Sequence, residues 1–102
     1  MIFGSDGKHF INNGKGIIRS NDGKQDIWHN GITHRSNGSS ATTAGGITHF
    51  GGKSITKSGN IYYCNGHSYS LSGSILHGPG GKTWTGVHTD QEVRTIIMSN
   101  ES

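Results

Sequence analysis

One cysteine and one histidine are spaced so that a tight turn would bring them together. Cys64 and His67 flank Asn65-Gly66, and Asn-Gly is a strong signal for a two-residue β-hairpin turn. In such a hairpin the two side chains lie directly opposite each other, with Cβ atoms about 5 Å apart. They share that face with Tyr62 and Tyr69, because side chains alternate along a strand. The sequence therefore predicts a thiol beside an imidazole.

This pair suggests three kinds of chemistry. A thiolate and an imidazole are suitable ligands for zinc or iron, and the remaining ligands would come from His34, His49 and His77. A thiolate–imidazolium pair would instead act as a nucleophile, but a hairpin tip leaves little pocket around it, and no triad or paired-carboxylate pattern accompanies it. The third interpretation is a lone buried thiol beside a surface histidine. We favour the lone thiol, because no second close-spaced ligand pair is present.

A glycine-rich segment after His77 is the second candidate site. It ends in Gly-Lys-Thr, as a phosphate-binding loop does, but position 76 is leucine where the full pattern requires glycine. Its backbone amides suit an anion, whereas a plain hairpin turn is the simpler interpretation and the one we favour. The candidate anion-binding residues are Gly78, Gly80, Gly81, Lys82 and Thr83.

A short motif recurs along the chain, in which isoleucine is followed two places later by a basic or imidazole side chain. Positions i and i+2 lie on the same face of a strand, so each copy places an isoleucine beside a basic group. The copies begin at Ile17, Ile27, Ile32, Ile47, Ile55 and Ile75. Their histidines are unevenly spaced, so the motif does not indicate a regular solenoid.

Glycine and asparagine divide the chain into short segments. Turn dipeptides occur at 6–7, 13–14, 22–23, 30–31, 37–38, 65–66 and 79–80, and the intervals between several of them are about eight to ten residues. The predicted strands are 2–3, 9–11, 16–19, 26–29, 31–34, 46–50, 53–57, 60–64, 67–71, 74–77 and 83–87. Residues 38–46 are interpreted as a low-complexity loop. These patterns predict an all-β fold of short, glycine-punctuated antiparallel strands, as a meander, a small barrel or a β-helix-like stack.

The C-terminal segment is ambiguous. Thr89 to Glu92 fits a helix capping box, but Val93, Thr95, Ile96 and Ile97 are β-branched and favour a strand. A final strand is slightly favoured over a short helix at 90–98, because an isolated two-turn helix is only marginally stable.

Length and composition restrict the class of protein. The 102 residues predict one small domain, 1–102, and only 28% are hydrophobic, which is little core for a monomer. A partner or an oligomer interface is therefore expected. The single cysteine excludes an intrachain disulfide. No apolar stretch suggests a signal peptide or a membrane span, so the expected protein is soluble and made in the cytoplasm.

Taken together, these features resemble those of the PAAR-type tips of contractile phage tails and type VI secretion spikes. The resemblance lies in size, in glycine-bounded strands and in one cysteine with several histidines: Cys64, His34, His49 and His77. It implies a conical β-structure, a metal held by histidine and cysteine, and association with a virion or secretion apparatus. The Pro-Ala-Ala-Arg signature is absent.

The leading functional hypothesis is a non-enzymatic structural or binding protein that works in an assembly, with a protein partner or its own copies. The alternative is a small module that binds a nucleotide, an oligonucleotide or another anionic ligand, suggested by the net charge of +3 and the Gly-Lys-Thr segment. A cysteine/histidine enzyme is the third hypothesis.

Overall fold

The computed structural model describes residues 1–21, 23–29, 31–36 and 38–101. Within these residues the chain forms twelve short strands, a 3₁₀ turn at Pro79–Gly81 and one α-helix, α1, at Asp90–Asn100. The strands are β1 Ile2–Gly4, β2 His9–Asn12, β3 Ile17–Ser20, β4 Gln25–His29, β5 Ile32–Arg35, β6 Ser40–Ala44, β7 Ile47–Phe50, β8 Lys53–Ser58, β9 Ile61–Cys64, β10 His67–Ser72, β11 Ile75–His77 and β12 Thr83–Thr85.

Each strand pairs antiparallel with the next, and β1 pairs with β12, so the sheet closes into a barrel. Closure leaves no unpaired sheet edge. The predicted fold class, all-β with short antiparallel strands and at most one short helix, is confirmed. Among the three arrangements considered, the chain adopts the small barrel.

The eleven predicted strands all overlap observed strands, but the loop predicted at 38–46 is wrong, because it contains β6. This strand is built from small residues that fit close to the interior. Ala41 is fully buried, and the Thr43 hydroxyl lies 2.8 Å from the Thr48 hydroxyl on β7. Only Ala41 and Thr43 of this strand face the interior, and its other residues are exposed.

The hairpin turns between β6 and β11 are more regular than the sequence suggested. Two-residue turns occupy 45–46, 51–52, 59–60, 65–66 and 73–74. Each contains one glycine of a series with a strict seven-residue period: Gly45, Gly52, Gly59, Gly66 and Gly73. The expected interval of eight to ten residues is therefore too long for this half of the barrel. The predicted turns at 22–23, 30–31 and 37–38 include residues 22, 30 and 37, which lie outside the described residues.

The C-terminal segment is a helix, and the preference for a final strand is wrong. Thr89 Oγ1 accepts a hydrogen bond from the Glu92 amide, while Glu92 Oε1 accepts one from the Thr89 amide, which completes the predicted capping box. Residues 92–98 are all buried. Seven consecutive buried positions surround the whole circumference of a helix, so α1 lies inside the barrel. Packing by the surrounding strands outweighs the weak helix propensity of the β-branched residues.

Cations from the barrel wall surround the C-terminal end of α1. Lys8 Nζ donates to Ser99 Oγ at 3.0 Å, Lys82 Nζ donates to Asn100 Oδ1 at 2.9 Å, and Lys53 Nζ donates to the carbonyl of Glu101. Positive charge is favourable at this end, where the helix carbonyls carry partial negative charge. The helix has no basic residue in its own last turn, so the strands and turns supply the complementary charge.

Candidate functional site

The hairpin around Asn65-Gly66 forms as predicted. Cys64 pairs with His67 and Tyr62 pairs with Tyr69. Asn65 and Gly66 both have positive φ, 52° and 80°, as a type I′ turn requires. The predicted register is confirmed, and the thiol and the imidazole belong to opposed residues on the inward-facing side.

The Cys64 thiol is buried against the interior. Burial raises its pKa to about 11, the nearby charge of Glu101 raises it as well, and Lys53 offsets only part of this change. At neutral pH the group is therefore a neutral thiol, whereas nucleophilic attack and metal ligation both require the thiolate. This environment suits a small apolar side chain.

The His67 imidazole interacts with a residue that sequence reasoning missed. Its Nδ1 lies 2.9 Å from Glu101 Oε2, and the Tyr69 hydroxyl donates to the same oxygen. Burial raises the pKa of Glu101, but the hydrogen bonds from Tyr69 and His67 outweigh it, and the net pKa lies below the ordinary value. Glu101 follows α1 in sequence, so no local spacing predicts this contact before the helix is known to lie inside the barrel.

The other proposed metal ligands lie away from this pair. His34, His49 and His77 are exposed on β5, β7 and β11, where Thr33, Thr48 and Leu76 occupy the adjacent buried positions. These histidines therefore point outward, whereas Cys64 points inward. Among the described residues, no group of three or more histidine, cysteine, aspartate or glutamate side chains is arranged to hold a metal ion.

The Gly-Lys-Thr segment forms the connection between β11 and β12. The Gly78 amide donates to the Lys82 carbonyl at 2.8 Å, and the Thr83 amide donates to Ser5 Oγ at 3.0 Å. The Lys82 ammonium contacts Asn100 at the end of α1. These contacts fold the segment into a turn, with Gly80 and Gly81 exposed at its tip, and they direct its cation toward the helix.

At the opposite end of α1, Asp90 is the centre of a second polar cluster. It accepts hydrogen bonds from Tyr62 Oη and Arg94 Nε, both at 2.7 Å, and lies 3.6 Å from Lys57 Nζ. Burial raises the pKa of Asp90, but these hydrogen bonds and charges lower it by a larger amount. The net pKa lies below the ordinary value, so the carboxylate is ionised. Arg94 also donates to Thr48 Oγ1 and to the Gly46 carbonyl, and the cluster fixes the helix to the wall.

The helix leaves little free space inside the barrel. The cavity between Phe10, Ile18, Asp26 and Arg35 measures about 20 Å³, roughly the volume that admits one water molecule. Two larger depressions are open to solvent. One, of about 370 Å³, lies along Ser40, His49 and residues 50–54, and one of about 180 Å³ lies beside Trp28 and Asp90.

The recurring isoleucine motif is directed mainly outward. As predicted, each isoleucine shares a face with the basic group two places later, but in five of the six copies that face is the outer one. The buried residue is the one between them, such as Ile18, Trp28 or Leu76. The copy at Ile55 is the exception, because Ile55 is fully buried. In the copies at Ile17, Ile27 and Ile75, the large apolar residue between the motif positions was the available signal for this orientation, whereas the other two outward copies have threonine there.

The outer surface consists of two regions of different chemistry. We define the isoleucine arc as the outward residues of β11, β12 and β1–β5, and the hydroxyl arc as those of β6–β10. The isoleucine arc carries Ile75, Phe3, Ile11, Ile17, Ile27 and Ile32 with His77, His9, His29, His34 and Arg19. The hydroxyl arc carries mainly Ser40, Thr42, Ser54, Thr56, Ser58, Ser68, Ser70 and Ser72, with His49, Ile47, Ile61 and Tyr63 among them.

Comparison with protein-family models, with curated proteins and with solved structures finds no match to this chain. The resemblance to PAAR-type tips therefore stays a prediction. Among the described residues, no helix has both the length and the apolar character needed to cross a bilayer.

Proposed function

We propose that this chain is a non-enzymatic structural protein that works within a protein assembly through the outer surface of its barrel. The observation that carries the proposal is the exposure of large apolar side chains on the outer faces of the strands. Phe3 and Ile11 are each 50% exposed and Ile32 is 41% exposed. Clusters of exposed apolar side chains are typical of protein interaction sites.

The interior supports the same proposal. A barrel that binds a small ligand keeps space inside its sheet, whereas this barrel holds its own helix. The candidate nucleophile Cys64 has its pKa raised to about 11 by burial, which is the opposite of the activation that cysteine catalysis needs. The filled interior therefore supports a structural role more than catalysis inside the barrel.

A phage particle or a secretion apparatus is the proposed setting. The likeness to PAAR-type tips in length, glycine-bounded strands and histidine content suggests it. A small closed barrel with a solid interior also suits a part that must keep its shape under load.

The alternative of an anion-binding module receives less support. Lys82 is directed to the helix end, and three backbone amides of its segment, those of Gly78, Lys82 and Thr83, are engaged within the fold. We therefore retain the assembly function as the conclusion.

Site-specific photo-crosslinking in the cells that make the protein tests this function. A photoreactive amino acid at Ile32 should yield a covalent adduct with another protein chain, because this side chain points away from the barrel and is exposed. The same amino acid at Thr56, exposed on the hydroxyl arc, is the matched control and should yield less adduct. If neither position gives an adduct, the proposed function is contradicted.

A further inference from the structure

The small cavity between the barrel wall and the second half of α1 has a polar lining. It measures about 20 Å³, and roughly 10–15 Å³ is enough to admit one water molecule. The cavity therefore has room for one water and for no larger ligand. Its polar lining comes from both sides, and includes Ser20, Asp26 and Arg35 of the wall and Thr95 and Ser99 of the helix.

Two of the lining groups are buried charges. Asp26 and Arg35 keep only 10% and 9% of their side chains exposed, and Arg35 Nε lies 3.8 Å from Asp26 Oδ1. An N–H···O hydrogen bond spans about 2.7–3.2 Å, so these two atoms attract each other as charges without a hydrogen bond between them. Burying an ion pair is costly unless hydrogen bonds accompany it. The separation therefore favours a small molecule that bonds to both atoms.

The pKa of Asp26 is consistent with this arrangement. Burial raises it above the ordinary value, and the charges of Arg35 and Lys24 offset only part of the rise. Hydrogen bonds to an ionised carboxylate lower its pKa. A donor in the cavity would therefore help the carboxylate to stay ionised beside the guanidinium group.

The helix supplies a further hydrogen-bond donor. Thr95 is 3% exposed, and its Oγ1 accepts a hydrogen bond from Trp28 Nε1 at 2.9 Å. A hydroxyl group donates as well as accepts, so the Thr95 hydroxyl has its own hydrogen to donate toward the cavity that it lines. Buried waters typically make about three hydrogen bonds to protein groups. Arg35 and Thr95 as donors, with Asp26 as acceptor, provide that number.

From these observations we propose that the cavity is a binding site for one structural water molecule, which bridges Asp26 and Arg35 of the wall to Thr95 of α1. The water accepts hydrogen bonds from Arg35 Nε and Thr95 Oγ1 and donates one to Asp26 Oδ1. It thereby joins β4 and β5 to the helix between the polar contacts at its two ends. The site belongs to the interior, so it holds whether or not the outer surface contacts a partner.

A crystal structure of the wild-type chain, together with oxygen-17 relaxation dispersion in solution, tests this site. The crystal should show one water peak within about 3.2 Å of both Asp26 Oδ1 and Arg35 Nε. Oxygen-17 dispersion counts the water molecules that stay bound for longer than the protein takes to tumble. Exchange of hydroxyl hydrogens does not affect that count, so the Thr95 hydroxyl cannot imitate a bound water.

Ser20→Thr is the variant that fills the cavity. It adds one methyl group at the lining and keeps the hydroxyl that donates to the Lys24 carbonyl. Threonine suits a strand, so β3 should form as before. The dispersion amplitude should fall by one long-lived water per chain. Ser68→Thr makes the same change at an exposed position of β10 and should leave the amplitude unchanged.

Either measurement can overturn the proposal. A wild-type crystal in which Asp26 and Arg35 form a direct hydrogen bond, with no water peak between them, excludes the bridge. An equal dispersion amplitude in wild type and Ser20→Thr, with the new methyl group in the cavity of the variant crystal, excludes a long-lived occupant. If Ser20→Thr does not fold, the wild-type crystal decides alone.

Discussion

The inner and outer faces of the same strands carry similar side chains in very different surroundings. Ile55 points inward and is fully buried, whereas Ile32, in another copy of the same motif, points outward and is 41% exposed. Inward residues of several strands bond to the helix, as Trp28 does to Thr95 and Tyr62 does to Asp90. Outward residues are constrained only by the strand and by each other. We therefore expect fold stability to be concentrated on the inner face, which leaves the outer face available for contacts with other chains.

The largest expected effect of a substitution concerns Arg94, the buried charged side chain of α1 that bonds to the inner face at Thr48. Arg94→Met removes three hydrogen bonds of a buried cation, to Asp90, Thr48 and Gly46, and should lower the free energy of unfolding by about 3–4 kcal/mol. Urea unfolding followed by circular dichroism measures the loss.

Lys57→Met is the matched control for Arg94. Lys57 also faces Asp90, but at 3.6 Å and with 40% of its side chain exposed. Its replacement should cost less than about 1 kcal/mol. Equal losses in the two variants would show that the buried arginine network does not stabilise the inner face.

Ile55, which points inward, and Ile32, which points outward, test the comparison of the two faces most directly. Ile55→Ala should lower the free energy of unfolding by about 3 kcal/mol, because it leaves a cavity beside the helix. Ile32→Ala should change it by less than about 0.5 kcal/mol. Both should be measured by thermal and urea unfolding at low protein concentration, so that association does not contribute. Similar losses at both positions would mean that the outer face is also part of the folding core.

Acid should weaken the inner face at the C-terminal end of the helix. The pKa of Glu101 is lowered in the folded chain by Tyr69 and His67, so its stabilising effect is complete above its unfolded pKa and is lost as pH falls through the folded value. Glu101→Gln should cost about 2 kcal/mol at neutral pH and nothing in strong acid. Unfolding free energies measured between neutral and acidic pH give this difference.

Tyr69→Phe refines the acid test. It removes the hydroxyl that donates to Glu101, so the folded pKa of that carboxyl should rise and its contribution should disappear at a higher pH. A gap between wild type and Glu101→Gln that does not depend on pH would contradict the role given to the ionised carboxylate.

Local features of this molecule were predictable from sequence, whereas features that depend on closure of the barrel were not. The hairpin at Asn65-Gly66 depends on two residues with positive φ, so its register was accessible. The capping box at Thr89 was visible because it also depends on residues that lie close together in the sequence. The helix was the slightly less favoured of two alternatives, because its β-branched residues 93 and 95–97 are stabilised by a barrel that encloses them, and no local sequence pattern indicates that enclosure.

The same distinction between local features and features that depend on barrel closure applies to the candidate site. The opposition of Cys64 and His67 followed from one turn, whereas the direction of His34, His49 and His77 depends on which face of each strand meets the helix. β6 was missed because its small residues lack the large apolar side chains that usually mark a strand. The seven-residue glycine period was present in the sequence, and recognising it would have indicated the regular hairpins from Gly45 to Gly73.

Among the buried residues, the smallest effect is expected at Cys64, where the inner face meets the predicted metal site. Cys64→Ala should cost about 1 kcal/mol through lost packing, and a chelator should leave the melting temperature of both wild type and variant unchanged. The thiol, with a pKa of about 11, should react slowly with a disulfide reagent at pH 8 until the chain unfolds. A structural metal would produce the opposite pattern, because its binding energy is folding energy. A chelator would then lower the melting temperature of the wild type toward that of Cys64→Ala, and His67→Ala would reproduce that loss.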